Sequence, residues 1–241
     1  MEEPLIKLEN VWKKYKLAKD GELSILKGIN LEIILGSFVT IMGPSGSGKS
    51  TLMYLLGLLD MPSEGKIYLE GQDISKLSED KLAEVRGKKI GFIFQQFNLL
   101  QNLTALENVM LPMIFQGVPE THRRDRAKTF LDSVDLEHRI THKPTEMSGG
   151  EQQRIAIARS LVNNPEIIIA DEPTGNLDST TGKTVMEILT KLHKEQKKTI
   201  IVVTHDPNIA SYSQNIIHIQ DGQIIANHFK DPEVLWAKEK V

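Results

Sequence analysis

Three clusters of residues have the types and spacing to do chemistry on phosphate. The first, Gly43-Pro44-Ser45-Gly46-Ser47-Gly48-Lys49-Ser50-Thr51, satisfies G-x-x-x-x-G-K-[ST] at every fixed position. Glycines let the backbone curl until successive N–H groups point inward at phosphate oxygens. A helix beginning behind them adds roughly half a positive charge along its axis. Lys49 is long enough to reach the β- and γ-phosphates, and the Ser50 hydroxyl is a suitable ligand for Mg²⁺. The second cluster, Ile167-Ile168-Ile169-Ala170-Asp171-Glu172, is an apolar run ending in two carboxylates. Asp171 is suited to hold Mg²⁺, directly or through water, and Glu172 to take a proton from an attacking water. The third is Met147-Ser148-Gly149-Gly150-Glu151-Gln152-Gln153-Arg154. Ser148 is placed to cap a helix whose first amides, beside Gly149 and Gly150, stay uncovered and form a second anion site.

Chemistry of this kind needs strands that end where the phosphates lie. Residues 38–42 read as a buried strand and 50–59 as a helix, which puts the glycine loop between strand and helix. Before them, Ile6 and Leu8 alternate with Lys7 and Glu9, and Ile29, Leu31 and Ile33 alternate with Asn30 and Glu32, the pattern of a half-exposed antiparallel sheet. Residues 67–69 add another of its strands. A helix is expected over 78–86, with Ser78 as N-cap and Glu79 and Asp80 in its first turn, then an apolar strand over 89–94. Between residues 97 and 162 the apolar period lengthens from two to about 3.6, with helices near 104–115, 119–134 and 150–162. The basic patch His122-Arg123-Arg124 in the second of these reads as a solvated face. A strand over 167–170, a helix over 181–197 and strands over 199–203, 216–219 and 223–226 complete the pattern. Strands alternating with helices argue a parallel sheet covered on both faces, whose strand ends line the ligand crevice.

Composition closes off several classes. The 241 residues are 40% hydrophobic and 25% charged, with a net charge of −3, a globular balance without the basic excess of nucleic-acid binders. With no cysteine, disulfides, thiolate metal sites and a cysteine nucleophile are excluded. The acidic start Met1-Glu2-Glu3-Pro4 does not read as a signal peptide, and no stretch approaches 18 uncharged apolar residues, so any membrane role is expected to come through a partner.

Taken together, the three motifs resemble the ATP-binding-cassette ATPases, from about residue 5 to residue 226. The resemblance implies an α/β fold: a P-loop NTPase core with a mixed sheet, an N-terminal antiparallel β-subdomain and an inserted α-helical subdomain. It would form one domain over 1–241, its core about 1–95 and 164–241 and its helical subdomain about 96–163. It also implies roles for further residues. Gln95 stands where that family has its Q-loop glutamine, reaching Mg²⁺ or the water. Gly175-Asn176-Leu177-Asp178 looks like the D-loop, Thr204-His205 like the switch histidine, which would contact the γ-phosphate, and Tyr15 like the aromatic that stacks on adenine. Against the common signature L-S-G-G-Q, Met147 replaces Leu and Glu151 replaces Gln; a carboxylate at 151 would repel a phosphate that it faced directly.

The family pairs two copies head to tail, each signature segment closing over the other's nucleotide. A homodimer with two ATP and Mg²⁺ at its interface is therefore implied, with no nucleic acid. Strings such as Phe94-Gln95-Gln96-Phe97-Asn98-Leu99-Leu100 and Leu103-Thr104-Ala105-Leu106-Glu107-Asn108-Val109 look like the LolD/MacB/FtsE branch. That branch implies an integral membrane permease subunit, similar to MacB, LolC, LolE or FtsX, and a place on the cytoplasmic face of the membrane. A soluble P-loop kinase or GTPase has no use for residues 147–154 or His205. Cassettes of the DNA-repair or translation type carry a long coiled coil or two cassettes, and neither is present.

Overall fold

The computed structural model of the chain describes residues 3–16 and 21–229; the tail from 230, to which sequence assigns no element, lies outside them. In chain order the elements are β1 (Ile6–Lys16), β2 (Glu22–Ile33), β3 (Phe38–Met42), α1 (Lys49–Leu56), β4 (Glu64–Leu69), β5 (Gln72–Asp73), α2 (Glu79–Lys89), β6 (Ile90–Ile93), α3 (Ala105–Phe115), α4 (Glu120–Asp132), α5 (Gly149–Leu161), β7 (Ile167–Asp171), α6 (Ser179–Gln196), β8 (Thr199–Thr204), α7 (Pro207–Ala210), β9 (Asn215–Gln220) and β10 (Gln223–Phe229). They fall into two compact units. One comprises the described residues through Leu82 and from Thr199 onward, the other Ala83–Lys198.

The first unit holds two sheets. In the antiparallel sheet, ordered β2-β1-β4-β5, Ile6 faces Ile33 and Leu8 faces Leu31 on one side, and Ile67 pairs with Leu8 on the other. Alternation sends Ile6, Leu8, Leu31, Ile33, Ile67 and Leu69 inward, as the period-two pattern requires. The register slips after Leu8, where Asn10 takes a positive φ of 48°; its amide is held by Asn30 Oδ1 at 2.9 Å. In the second sheet β3 runs parallel to β8 on one side and to β9 on the other, and β9 pairs antiparallel with β10, so the sheet is mixed. Phe38, Val39 and Ile41 are buried on β3, and each such side chain contributes roughly 1.5–3 kcal/mol relative to exposure. Continuous burial is what covered parallel strands demand.

In the second unit β6 and β7 pair in parallel, and α3, α4 and α5 pack against one another. The N-terminus of α3 carries a reciprocal cap, the Thr104 hydroxyl accepting from the Glu107 amide and the Glu107 carboxylate accepting from the Thr104 amide. Asn108 on the same helix is fully buried. Its amide donates to the carbonyls of Leu100, Leu103 and Thr104 at 3.0 to 3.2 Å, and its oxygen accepts from Leu100 N–H at 2.8 Å, so one side chain fixes the loop into α3. Arg123 is half-buried, its guanidinium donating to Val118 O at 3.0 Å, while His122 and Arg124 are exposed; one member of the expected solvated patch folds back onto the segment that precedes its helix.

Candidate functional site

β3 delivers the glycine loop. Met42, its last residue, lies opposite Thr204 of β8 and opposite His218 of β9, so Gly43 and His205 leave neighbouring parallel strands side by side, at the carboxyl ends where ligand crevices form. The loop is built tightly. A Cβ on Gly43 would lie 2.1 Å from the carbonyl oxygen of Ile219, so the strand ends close only around a glycine. Gly48, at φ 103°, occupies the N-cap of α1, a left-handed conformation that side chains disfavour. The β9–β10 turn pins the loop from below: Gly222 N–H donates to Ser47 O at 3.0 Å, and Lys27 N–H to Gly222 O at 2.9 Å. Lys49 Nζ reaches back over the loop to the carbonyls of Gly43 and Pro44, both at 2.9 Å. Ser47 Oγ is buried with no hydrogen-bond partner, an unusual cost for a hydroxyl unless a ligand meets it. An orphaned hydroxyl inside a curled glycine loop fits a bound phosphate. Beside the same loop, the Tyr15 phenol is flanked by Asp60 and the Thr51 hydroxyl.

The second unit gathers the acids and amides. Ile93 of β6 pairs with Ala170 of β7, so Gln95 and Glu172 each sit two residues beyond that pair. Asp171 and Glu172 are half-buried. Glu172 takes a φ of 43°, in the region that favours glycine, and its carbonyl accepts from Gly175 N–H at 3.0 Å to close a turn. Non-glycine residues held there cluster at active sites. Asn176 Nδ2 donates to Gln95 O at 2.8 Å, and a Cβ on Gly175 would fall 2.8 Å from Gln95 Nε2, so the glutamine lies against the segment that follows Glu172. Two further residues steady this arrangement from α5: Gln153, to which the sequence assigns no role of its own, and Arg159, which no motif marks. Fully buried Gln153 donates to Pro173 O at 2.7 Å, directly after Glu172. Arg159, its pKa lowered by burial, donates to the carbonyls of Phe97 at 2.8 Å and Asn98 at 2.5 Å, just beyond Gln95.

Ser148 caps α5 as its position suggested, but not alone. Its hydroxyl accepts from the Glu151 amide at 3.3 Å, while Glu151 Oε2 accepts from Ser148 N at 2.8 Å and from the Ser148 hydroxyl at 2.9 Å. The other carboxylate oxygen pairs with Arg139 Nε at 3.0 Å. Those bonds, first the Ser148 amide and then its hydroxyl and Arg139, hold the Glu151 carboxyl below its ordinary pKa against the opposing effect of burial. The negative charge at 151 is thus turned onto its own helix start and neutralised. The spacing S-x-x-E was the sequence signal for this box. Gly149 and Gly150 follow at the half-buried first turn, Gly150 close to Thr181. Asp178 caps α6, accepting from Thr180 N, Thr181 N and the Thr181 hydroxyl at 2.6 to 3.1 Å; those bonds, the hydroxyl's first, lower its pKa.

One unit therefore carries Tyr15, residues 43–51 and His205; the other carries Gln95, Ser148, Gly149, Gly150, Asp171, Glu172 and Asp178. Among the described residues no group of three or more His, Asp or Glu side chains is arranged to hold a metal ion. Mg²⁺ typically takes one or two protein ligands and fills its sphere with water and substrate phosphates, and the Ser50 hydroxyl and Asp171 carboxylate are oxygen donors of the kind it takes.

A glycine loop pinned between parallel strand ends, with a lysine folded across it, defines a P-loop nucleotide triphosphatase. Residues 26–175 match the sequence family described as ABC transporter, and the chain belongs to that family, as one of its ATPases. An ABC transporter ATP-binding protein of Thermotoga maritima is 50% identical over 222 residues, covering 91% of this chain and 93% of that protein. The macrolide export ATP-binding/permease protein MacB of Bdellovibrio bacteriovorus is 54% identical over 220 residues, 91% of this chain but 33% of MacB. Among solved structures, a dimeric post-hydrolysis state of the ATP-binding cassette MJ0796 of Methanocaldococcus jannaschii, bound to ADP and Pi, is similar with a TM-score of 0.86. It is 49% identical, over 93% of this chain and 98% of that one.

Proposed function

We propose that the chain is the ATP-hydrolysing engine of a membrane complex, working as one cassette domain with residues 96–163 as its helical subdomain. Two copies pair head to tail, so that each ATP is gripped by residues 43–51 of one copy and by Ser148, Gly149 and Gly150 of the other. The observation that carries this reading is the dimeric relative holding ADP and Pi at 49% identity. Two anion sites on one chain support it, because a triphosphate in an open cradle lacks donors on its outer side.

Within that arrangement Lys49 neutralises the β- and γ-phosphates and the loop amides hold their oxygens. Glu172 takes the proton of the attacking water, and its strained backbone fixes where the carboxylate points. His205 donates to the γ-phosphate, and Gln95 orients the water. Ser50, Asp171 and Gln95 would hold Mg²⁺, which when bound offsets phosphate charge. Asp178 positions the start of α6 beside the signature segment, and Tyr15 supports adenine by stacking.

No helix among the described residues is long and apolar enough to cross a membrane. The export function printed for MacB, an ATP-binding/permease protein, therefore suggests a permease partner of the MacB, LolC, LolE or FtsX kind, with this chain on the cytoplasmic face. Lipoprotein release, macrolide or peptide efflux, or mechanical transmission would then be the output. Dimer-dependent hydrolysis makes a kinetic prediction: ATPase activity per milligram should rise with protein concentration below the dimer's Kd. A specific activity that stays flat across a hundredfold dilution would contradict the paired site.

A further inference from the structure

Lys13 and Tyr15 are two residues apart on β1 and so point to one face of the sheet. Lys13 Nζ donates to Asp60 Oδ1 at 2.6 Å and to Met61 O at 2.8 Å, and it lies 5.1 Å from the centroid of the Tyr15 ring. Only 12% of the Lys13 side chain is exposed. The other oxygen of the same carboxylate, Asp60 Oδ2, accepts from the Tyr15 hydroxyl at 3.2 Å. One carboxylate therefore holds both an ammonium and the phenol whose ring that ammonium covers. Burial first, and then the Asp60 charge, keep the phenol's pKa above its ordinary value, so it remains a donor. Tyr15 is nonetheless 41% exposed.

We infer that Asp60 and Lys13 are positioning residues for the base platform, locking the Tyr15 ring with one face under a cation and the other presented to adenine. The inference rests on the reading of Tyr15 as the adenine platform. An exposed tyrosine with free torsions must lose rotamer freedom when a base stacks on it, whereas a ring already fixed at both its hydroxyl and one face has lost it on folding. The ammonium attracts the electron-rich face of the ring and occupies it, which leaves one stacking surface. Because the hydroxyl is spent on Asp60, the platform offers a base its π-face but no hydrogen bond to read its edge.

The test compares affinity for ATP with affinity for inorganic tripolyphosphate, which engages the cradle but has no base. Tyr15→Ala should weaken ATP and leave tripolyphosphate unchanged; equal loss of both, or of neither, would overturn the platform reading itself. Given that result, Asp60→Asn and Tyr15→Phe should each weaken ATP about three- to tenfold with tripolyphosphate unchanged, and the double variant should lose no more than either single one. Tyr15→Phe removes the tether from its other end without touching the Lys13–Asp60 pair, so it decides the matter if Asp60→Asn folds poorly. If Tyr15→Ala behaves as expected while Tyr15→Phe binds ATP like the parent protein, the positioning role fails and the platform stands.

Discussion

Replacing Gly43 by alanine tests the geometry of the phosphate cradle with a single methyl group. That methyl would sit 2.1 Å from the carbonyl oxygen of Ile219 and 2.8 Å from Ser47 Oγ. A carbon and a carbonyl oxygen approach to about 3.3 Å in favourable contacts, so the strand ends must part by roughly 1.2 Å. The yielding atoms are backbone atoms of β9, whose Ile219 side chain is fully buried, and no flexible side chain can absorb the shift. Overpacking of this kind costs about 1–3 kcal/mol, which in a chain of this size lowers Tm by about 2–12 °C. The functional loss should be larger. Displacing the loop by an ångström misaligns charge-assisted hydrogen bonds to phosphate worth about 1.5–3 kcal/mol each, so losing two weakens ATP at least a hundredfold. Gly71→Ala, in the turn between β4 and β5, is the control: Gly71 has φ 74°, but an added Cβ would meet nothing within 4 Å. It should cost about 1–2 kcal/mol of conformational strain without moving the strand ends. Calorimetric titration with ATP, alongside thermal unfolding of both variants, decides between them. The reasoning is refuted if Gly43→Ala binds ATP like the parent protein, or if Gly71→Ala loses as much affinity as Gly43→Ala.

Lys49→Ala should weaken ATP by about ten- to a hundredfold, the worth of one charge-assisted contact, with little change in Tm because the carbonyls it releases at Gly43 and Pro44 border solvent-exposed loop; unchanged affinity by calorimetry would exclude the phosphate role. Glu172→Gln should slow hydrolysis about 10²- to 10⁴-fold in steady-state assays while ATP still binds, and a variant that turns over normally would remove Glu172 as base. Glu151→Gln bears on pH. The folded carboxyl titrates below its ordinary 4.5, so its contribution is fully present above pH 4.5 and is lost as pH falls through the lower folded value. The parent protein should therefore melt above Glu151→Gln at pH 7, with the gap closing under acid; a gap independent of pH would mean the carboxylate's charge contributes nothing.

Periodicity located most elements, because a buried strand or an amphipathic helix leaves its pattern in the chain whatever surrounds it. The strand expected over 199–203 is β8 at Thr199–Thr204, and the helix expected over 150–162 is α5 at Gly149–Leu161. Ends were less legible. The helix after the glycine loop was expected over 50–59 and stops at Leu56, since Gly57 caps it and Leu58 turns to φ 54°. β1 was legible only as far as Glu9: Asn10 breaks the alternation, and the strand continues past that slip to Lys16 through pairing that no local pattern encodes. At the candidate site, the residues set by backbone chemistry stood out, because a phosphate cradle fixes glycines, lysine and serine at rigid spacing. Side chains that act on partners distant in the chain did not. Gln153 reaches Pro173, Arg159 reaches Phe97 and Asn98, and Asp60 reaches Tyr15 across gaps of 20 to 62 residues, and nothing in a linear string marks such partners.

The central claim is that ATP is closed between the cradle of one copy and the Ser148 helix start of another. Light scattering of Glu172→Gln with ATP and Mg²⁺, with bound nucleotide counted in the same peak, measures it most directly. The account predicts a particle of about twice the chain's 27.1 kDa carrying two ATP, and a return to single-chain mass, still with nucleotide bound, when Ser148→Arg is added. A single-chain mass with one ATP already bound in Glu172→Gln, or a dimer that Ser148→Arg leaves intact, would contradict it.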